Sequence, residues 1–146
     1  MATIYTLGFA GKSAEKFFGL LQGHGIRRVL DIRLRNTSNL AGFTKRDHLE
    51  FFLRRIGRIR YEHEPLLAPT DEMLDGYRGR KISWDEYEAR YRALLEERQA
   101  GKKLKRKPFE KPTALLCTEP GPEKCHRRIA AEYLAALWPD VKVVHL

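Results

Sequence analysis

The residues best suited to chemistry lie close together in one stretch, ALLCTEPGPEKCHRR, which spans residues 114–128. Within it, Cys125 directly precedes His126 and Arg127, and Pro122 suits the first turn of a helix. A helix amino terminus and neighbouring positive charges both lower the pKa of a thiol. The spacing therefore predicts that Cys125 is a thiolate and the first candidate for a catalytic nucleophile.

The second thiol, Cys117, ends the apolar run TALLCT, which is typical of a strand covered on both faces. Buried there, it is either a small core residue or part of the same site as Cys125. In the second case Cys117 is the resolving thiol, and Glu119 or His63 transfers protons. All four residues are therefore catalytic candidates.

The same stretch also has interpretations without a nucleophile. In one, His126 and Arg127 bind an anion at the helix amino terminus and the thiols take no part. In another, the two cysteines form a structural or redox pair. Zinc accepts Cys, His and Glu ligands, but the C-x7-C-H spacing lacks the C-x2-4-C pair of structural zinc sites, so no metal site is predicted.

Apolar runs and the helical patterns between them must position these side chains. The runs predict five strands, at residues 3–7, 27–33, 58–65, 113–118 and 141–146. Helical patterns follow four residues: Ser13, Thr44, Ser83 and Pro122. Residues 66–82 are predicted to form a loop-rich insertion. Strands that alternate with helices predict a single α/β domain over residues 1–146, with a mostly parallel sheet of about five strands and helices on both faces.

The carboxyl ends of parallel strands meet at one edge of a sheet, where open α/β sheets bind their ligands. Outside the cysteine stretch, the predicted strand ends bring four ligand-binding candidates to this edge, together with the catalytic candidate His63: Gly8, Lys12, Asp31 and Arg33. Together with His126 and Arg127 they form an electropositive crevice, so we expect it to bind a nucleotide or another phosphate compound. The sequence GFAGKS is not a Walker loop, because Thr6 stands where the first glycine is required.

Several of these crevice residues have structural alternatives, which the sequence leaves open. Gly8 also permits a tight turn between strand and helix. Asp31 and Arg33 also suit an internal ion pair that fixes the loop after the second strand. His63, taken alone, is more typical of a structural histidine with satisfied hydrogen bonds than of a catalyst.

Length and composition indicate one globular domain without a membrane span. Of the 146 residues, 42% are hydrophobic and 32% are charged. No apolar stretch approaches the roughly 20 residues that a spanning helix needs. No secretory signal is recognisable, so we expect a cytoplasmic protein in which both cysteines are reduced. The sequence points to no particular cofactor or oligomeric state.

Much of the formal net charge of +9 lies in the stretch GKKLKRKPFEKP, residues 101–112. Two prolines predict an irregular basic loop there rather than a helix. Such a loop is either simply solvated or binds polyanions through counterion release. The alternative function is therefore a non-enzymatic nucleic-acid-binding module. Its phosphate contacts would come from five side chains of the loop: Lys102, Lys103, Lys105, Arg106 and Lys107. Four further arginines would extend the contact: Arg54, Arg55, Arg58 and Arg60.

Three stretches resemble a known family: IYTLGFAGKSAEKFFGLLQGHGIRRVLDIR, IRYEHEPLL and LLCTEPGPEKCHRRIAAEYL. They are similar to the bacterial and archaeal domain-of-unknown-function family 488, and the last contains a C-x-E…P-x2-C-H-R signature. The resemblance implies a compact α/β domain and singles out the crevice residues named above, apart from Lys12. Two departures are evident: Phe9 and Ala10 replace a histidine and a serine, and LRNTSNL replaces a segment with a proline and a serine–arginine pair.

Overall fold

A computed structural model of the chain describes residues 2–37 and 42–146, so the end of the stretch LRNTSNL lies outside the described residues. Five strands form one sheet: β1 Ala2–Gly8, β2 Arg28–Asp31, β3 Arg60–His63, β4 Thr113–Cys117 and β5 Val141–His145. The strand order is β3-β2-β4-β1-β5, and every pairing is parallel. The predicted α/β class with a five-stranded parallel sheet is confirmed.

Helices cover both faces of the sheet, as predicted. There are six in the described chain: α1 Ala14–Gly23, α2 Arg46–Gly57, α3 Asp71–Arg78, α4 Trp84–Glu97, α5 Ala100–Lys103 and α6 His126–Leu137. Helices α1 and α2 pack on one face, where Leu7 and Leu116 join their core. Helices α3, α4 and α6 cover the other face, where Ile4 and Leu115 join the second core.

Strand β4 is the central strand, and all five of its residues are buried. Successive side chains of a strand point to opposite faces, so Leu115 and Leu116 belong to different cores. This double burial explains the continuous apolar run in the sequence. Cys117 ends the strand, and the sheet therefore holds its sulfur at the edge predicted to bind ligands.

The segment predicted as a loop-rich insertion contains a helix, α3, and this part of the prediction is wrong. Helix α3 is capped by Thr70, whose hydroxyl accepts a hydrogen bond from the backbone N–H of Met73. Only Met73 is fully buried among its eight residues, although Tyr77, one turn later, also packs against the core. The helix has little more than two turns, which is too short for its apolar spacing to stand out in the sequence. The start of α2 also differs, because Lys45 rather than Thr44 precedes the first turn.

Helix α6 begins four residues later than Pro122, at His126. Cys125 is the residue before its first turn, with extended backbone angles of φ −139° and ψ 137°. The prediction that Cys125 lies inside the first turn is therefore wrong by one position. The connection between β4 and α6 carries the remaining residues of the signature.

The basic stretch at residues 101–112 is partly helical. It begins inside α5 and includes a 3-10 turn at Lys107–Glu110, while the ion pair between Arg106 and Asp140 ties it to the residue before β5. The expectation of an entirely irregular loop is corrected accordingly. No helix in the described ranges has both the length and the apolar character needed to cross a bilayer.

Candidate active site

A cavity of about 70 Å3 lies at the carboxyl ends of the central strands. Its floor is formed by Cys117, Cys125 and His126, and helices α3 and α4 form the opposite wall. Residues after β2, including Arg33, complete the rim. The predicted crevice therefore has a physical counterpart, and both thiols line it.

The two sulfur atoms are in direct contact. The Cys125 thiol donates a hydrogen bond to the Cys117 Sγ over 2.8 Å, and neither cysteine is disulfide-bonded. His126 also contacts Cys117, with 3.4 Å between its Nδ1 and the Cys117 Sγ. The two sulfurs and Nδ1 all lie within 4.8 Å of one another and form a thiol–thiol–imidazole cluster.

The imidazole of His126 is held in one orientation from two sides. Its Nε2 is 2.8 Å from the carbonyl oxygen of Ile32, an atom that can only accept, so Nε2 carries the proton. The ring of Tyr91 contacts the imidazole edge-on, at a centroid distance of 5.4 Å. In the neutral imidazole the lone pair is consequently on Nδ1, on the side of Cys117.

The environments of the two thiols reverse the assignment made from the sequence. Burial acts to raise the pKa of Cys117, but the hydrogen bond from Cys125, backbone N–H groups and the charge of Arg127 lower it, and the net direction is downward. Burial raises the pKa of Cys125, and its hydrogen bond to Cys117 raises it further. The expected lowering of the Cys125 pKa is therefore not found, and Cys117 is the thiol whose pKa is lowered.

Arg127 lies beneath the cysteine loop and is completely buried. Its guanidinium donates to the carbonyl oxygens of Glu119 and Pro120 and to the hydroxyl of Thr6. These partners are all neutral, and no carboxylate of the described chain is recorded in an ion pair with Arg127. A buried cation favours the ionised form of a nearby thiol, and the charge of Arg127 is one of the causes that lower the pKa of Cys117.

The amino-acid sequence can now be placed among known proteins. A family model described as "Domain of unknown function DUF488" matches residues 13–134, more than half of the chain. The chain belongs to the DUF488 family. No curated protein and no solved structure shows a significant match. The family match includes both cysteines of the DUF488 chain and the helix that follows them.

Asp31 and Arg33 of this DUF488 protein form a buried ion pair, in which two guanidinium nitrogens each lie 2.9 Å from a carboxylate oxygen. Burial acts to raise the pKa of Asp31, but hydrogen bonds from Arg33 and Tyr61 lower it below its usual value. Arg33 also donates to the carbonyl of Thr44. The structural alternative raised for this pair is thus the arrangement found, although Arg33 still lines the cavity.

Three predicted residues lie near the cavity without forming its floor. His63 contacts the carbonyl oxygen of Arg33 through Nε2 at 2.8 Å and does not line the cavity. Lys12 donates to the carbonyl of Gly8, also away from the cavity. Glu119 lines the cavity with an exposed side chain. The structure therefore brings His126, rather than His63, into contact with a thiol.

Gly8 has a packing role in the DUF488 fold. A Cβ atom at this position would lie 1.5 Å from the carbonyl oxygen of Glu119 and 2.5 Å from the guanidinium of Arg127. Only glycine allows the cysteine loop to approach β1 so closely. This close contact explains why glycine is required at position 8, and no bound ligand is needed to account for it.

The cavity wall includes aromatic residues that are not among the predicted site residues. Trp84 and Tyr87 of α4 stack at 5.2 Å, and Tyr77 of α3 packs against both. Tyr87 is 2% exposed, and its hydroxyl has no hydrogen-bond partner among the described residues. Helical spacing identifies such residues as buried, but it does not show that one edge of the stripe faces a cavity.

Two cations at the cavity mouth were also missed. Arg78 and Lys124 line the cavity with exposed side chains, and no ion pair to either is recorded within residues 2–37 and 42–146. Arg35 also lines the cavity, but it is paired with two carboxylates, those of Asp71 and Asp75, and adds no net positive charge. Arg78 belongs to α3, the helix absent from the sequence prediction, and its position could not be inferred without that helix.

Proposed function

We propose that this DUF488 protein is a thiol-dependent reductase of a small anionic molecule, with Cys117 as the nucleophile. The observation that carries the proposal is the 3.4 Å contact between Cys117 Sγ and His126 Nδ1. The bond from His126 Nε2 to the Ile32 carbonyl completes an arrangement of nucleophile, base and orienting group. Cys125, in contact with Cys117, supplies the second thiol.

The reaction proceeds in two displacements. Cys117 Sγ attacks an electrophilic sulfur or oxygen atom of the substrate, the bond from that atom to its leaving group breaks, and His126 passes the thiol proton to the leaving group. Cys125 Sγ then attacks Cys117 Sγ. The disulfide forms, and the bound substrate fragment leaves with the Cys125 proton. The substrate gains two electrons, and an external dithiol reduces the disulfide for the next turnover.

The cavity supports an anionic substrate smaller than the nucleotide expected from the sequence. Drug-sized ligands occupy pockets of roughly 300–1,000 Å3, whereas this cavity measures about 70 Å3. It admits the reactive end of a small molecule. The mouth offers Arg78 and Lys124 against the single charge of Glu119, and the unpartnered hydroxyl of Tyr87 offers a hydrogen bond.

Two alkylating agents of similar size test the nucleophile and the charge preference together. Iodoacetate is an anion and iodoacetamide is neutral. We expect Cys117 in the Cys125→Ser variant to react faster with both agents than Cys125 does in Cys117→Ser. We expect the ratio of the iodoacetate rate to the iodoacetamide rate to be about fivefold higher for Cys117 than for glutathione. This factor corresponds to roughly 1 kcal/mol, the interaction of two unit charges about 4 Å apart in water. Mass spectrometry after timed quenching measures the rates.

The control variants separate charge from access. Replacing Arg78 and Lys124 by alanine should return the iodoacetate preference to that of glutathione, whereas alanine at Lys102 and Lys103 should leave it unchanged. Circular dichroism confirms that each variant is folded. Equal rates for the two cysteines, or an iodoacetate preference that survives loss of both mouth cations, would overturn the proposal.

A second candidate function is polyanion binding at the amino edge of the sheet. The backbone N–H of Arg60 donates to the carbonyl of Arg27, and that of Arg27 donates to the carbonyl of Pro112. The amino ends of β2, β3 and β4 are therefore adjacent, and this favours a single surface for the basic stretch and for Arg58 and Arg60. The surface lies at the opposite end of the strands from the cavity.

Salt dependence tests this second function. A fluorescein-labelled single-stranded oligonucleotide should bind more weakly as salt rises. Replacing Lys102, Lys103, Lys105 and Lys107 by alanine should reduce the slope of log affinity against log salt by up to about 3. The alanine variant of Arg78 and Lys124 is the matched control and should keep the slope. Absence of binding at low salt would rule this function out.

A further inference from the structure

The thiol–thiol–imidazole cluster also has the donor set of a metal site. Cys117 Sγ, Cys125 Sγ and His126 Nδ1 all lie within 4.8 Å of one another, and all three residues are buried. Two sulfurs and one imidazole nitrogen are ligands that zinc prefers, and the same set occurs in three-ligand catalytic zinc sites. The cluster is therefore one donor short of a closed tetrahedral site.

The orientation of His126 supports this interpretation independently of the sulfurs. Imidazoles that bind metals usually donate their other ring N–H to a carbonyl or carboxylate, which fixes the tautomer and aims the free lone pair at the metal. In this protein the Ile32 carbonyl lies 2.8 Å from Nε2, and Tyr91 fixes the ring plane. Nδ1 is left for a ligand on the side of Cys117.

The distances fit a tetrahedral zinc ion after a small adjustment. With Zn–S of about 2.3 Å and Zn–N of about 2.05 Å, a sulfur and a nitrogen ligand lie about 3.6 Å apart, and two sulfurs about 3.8 Å apart. The observed separation of Cys117 Sγ and His126 Nδ1 is 3.4 Å. The two sulfurs are 2.8 Å apart and need to separate by about 1 Å. Cys125 precedes α6 in extended conformation, where a side-chain rotation leaves the helix intact.

We infer that Cys117, Cys125 and His126 form a binding site for Zn2+ with one coordination position open to the cavity. Two thiolates neutralise the dication, so the centre adds no net charge beside the buried Arg127. All three ligands line the cavity, which places the open position where a small anion or water reaches it. The C-x7-C-H spacing does not predict this site, because strand β4 and helix α6 supply the ligands from two elements rather than from one knuckle.

Metal binding and nucleophilic attack are alternative states of the same cluster. The Cys117 lone pair that attacks a substrate is the lone pair that binds zinc, so the metal-loaded form has no free nucleophile. The inference thus goes beyond the proposed reductase, and the two are measured by different signals.

Cobalt provides a visible probe of the site. Anaerobic titration of the reduced wild-type protein with Co2+ should produce thiolate-to-cobalt charge-transfer bands and tetrahedral d–d bands that saturate at one ion per chain, and Zn2+ should displace the Co2+. Cys117→Ser, Cys125→Ser and His126→Gln should each weaken binding by more than about 100-fold, exceeding the 10–100-fold loss typical of outer-shell changes. His48→Gln is the matched control: His48 is exposed and its loss should change nothing.

Protection from alkylation gives a second readout. One equivalent of Zn2+ should block the reaction of Cys117 with iodoacetate in the wild type, and a chelator should restore it. Should His126→Gln fail to fold, the two serine variants and this protection assay still decide the question. Absence of charge-transfer bands, or full alkylation in the presence of Zn2+, overturns the metal site. If Cys117 is alkylated rapidly but no cobalt bands appear, the metal site is wrong and the reductase proposal is retained. If cobalt bands appear but Cys117 reacts slowly and with no preference for iodoacetate, the reductase proposal is wrong and the metal site is retained.

Discussion

Cys117 and Cys125 are both buried, yet their surroundings give them different chemistry. Cys117 accepts a hydrogen bond from Cys125 and lies near the buried charge of Arg127, whereas Cys125 donates. The neighbouring residues in the sequence predict the opposite order of the two pKa values, because Cys125 has the more basic neighbours. The difference comes first from the hydrogen bond that Cys125 donates to Cys117, then from the backbone N–H of Thr118, and then from Arg127, which the oxygens of Thr6 and Glu119 fix beneath the loop.

The close contact at Gly8 predicts a large effect from one methyl group. Gly8→Ala should lower the free energy of unfolding by about 3 kcal/mol, because the new Cβ collides with the carbonyl of Glu119 and with Arg127. Gly19→Ala is the control: it lies in α1 with open space around it and should stabilise by about 1 kcal/mol. Urea denaturation of both variants measures the two changes. A stable Gly8→Ala protein would contradict this packing.

The buried ion pair of Asp31 and Arg33 predicts a dependence of stability on pH. The folded-state pKa of Asp31 lies below its unfolded value of about 4, so the pair stabilises above that value, and the contribution is lost as pH falls through the folded pKa. Asp31→Asn should cost about 3 kcal/mol at pH 7, and its difference from wild type should shrink below about pH 4. Thermal unfolding at several pH values tests this.

An exposed carboxylate is the control for that measurement. Asp75 pairs with Arg35 at the surface. Asp75→Asn should change stability by no more than about 1 kcal/mol at any pH, because solvent screens the pair. A pH-independent penalty for Asp31→Asn would show that the carboxylate charge is not what stabilises the loop after β2.

At the scale of elements, the sheet could be predicted from the sequence and the site only in part. Alternating strands and helices, with long connections, determine a parallel sheet and bring the strand ends together. The role of His126 was missed because its partner Ile32 is 94 residues away, and no periodicity encodes that contact. Helix α3 was missed because its eight residues are too few for an apolar periodicity to be recognised, so Arg78 and the outer wall were missed with it.

The junction of β4 and α6 predicts an intramolecular disulfide under mild oxidation. With 2.8 Å between their sulfurs, Cys117 and Cys125 should lose two hydrogen atoms per chain on treatment with diamide, without dimer formation. The short loop that the bond closes limits any added stability to about 2.5 kcal/mol. Mass spectrometry under non-reducing conditions detects the loss. Cys125→Ser should show none, and crosslinked dimers of wild type would contradict the geometry.

For the whole molecule, the parallel sheet separates two charged regions. The cavity lies at the carboxyl ends of the strands, whereas the backbone bonds of Arg27 to Pro112 and of Arg60 to Arg27 put the end of the basic stretch and the start of β3 at the amino ends. Distant sites act independently unless a shared element couples them.

This separation predicts additive variants. Combining the alanine substitutions at Arg78 and Lys124 with those at four lysines of the basic stretch should reproduce both single phenotypes unchanged. The iodoacetate preference and the salt slope are the two measurements. A salt slope altered by the cavity substitutions alone would show that both regions contact one polyanion.

The position of Cys117 on the central strand has a consequence for how reagents reach it. Amide hydrogens of β4, buried on both sides, should exchange with deuterium only through global unfolding, whereas those of α3, which buries one residue, should exchange through local opening at much lower free energy. We therefore expect reagents to reach this sulfur, on a strand that opens only with the whole protein, at the rate at which α3 opens locally.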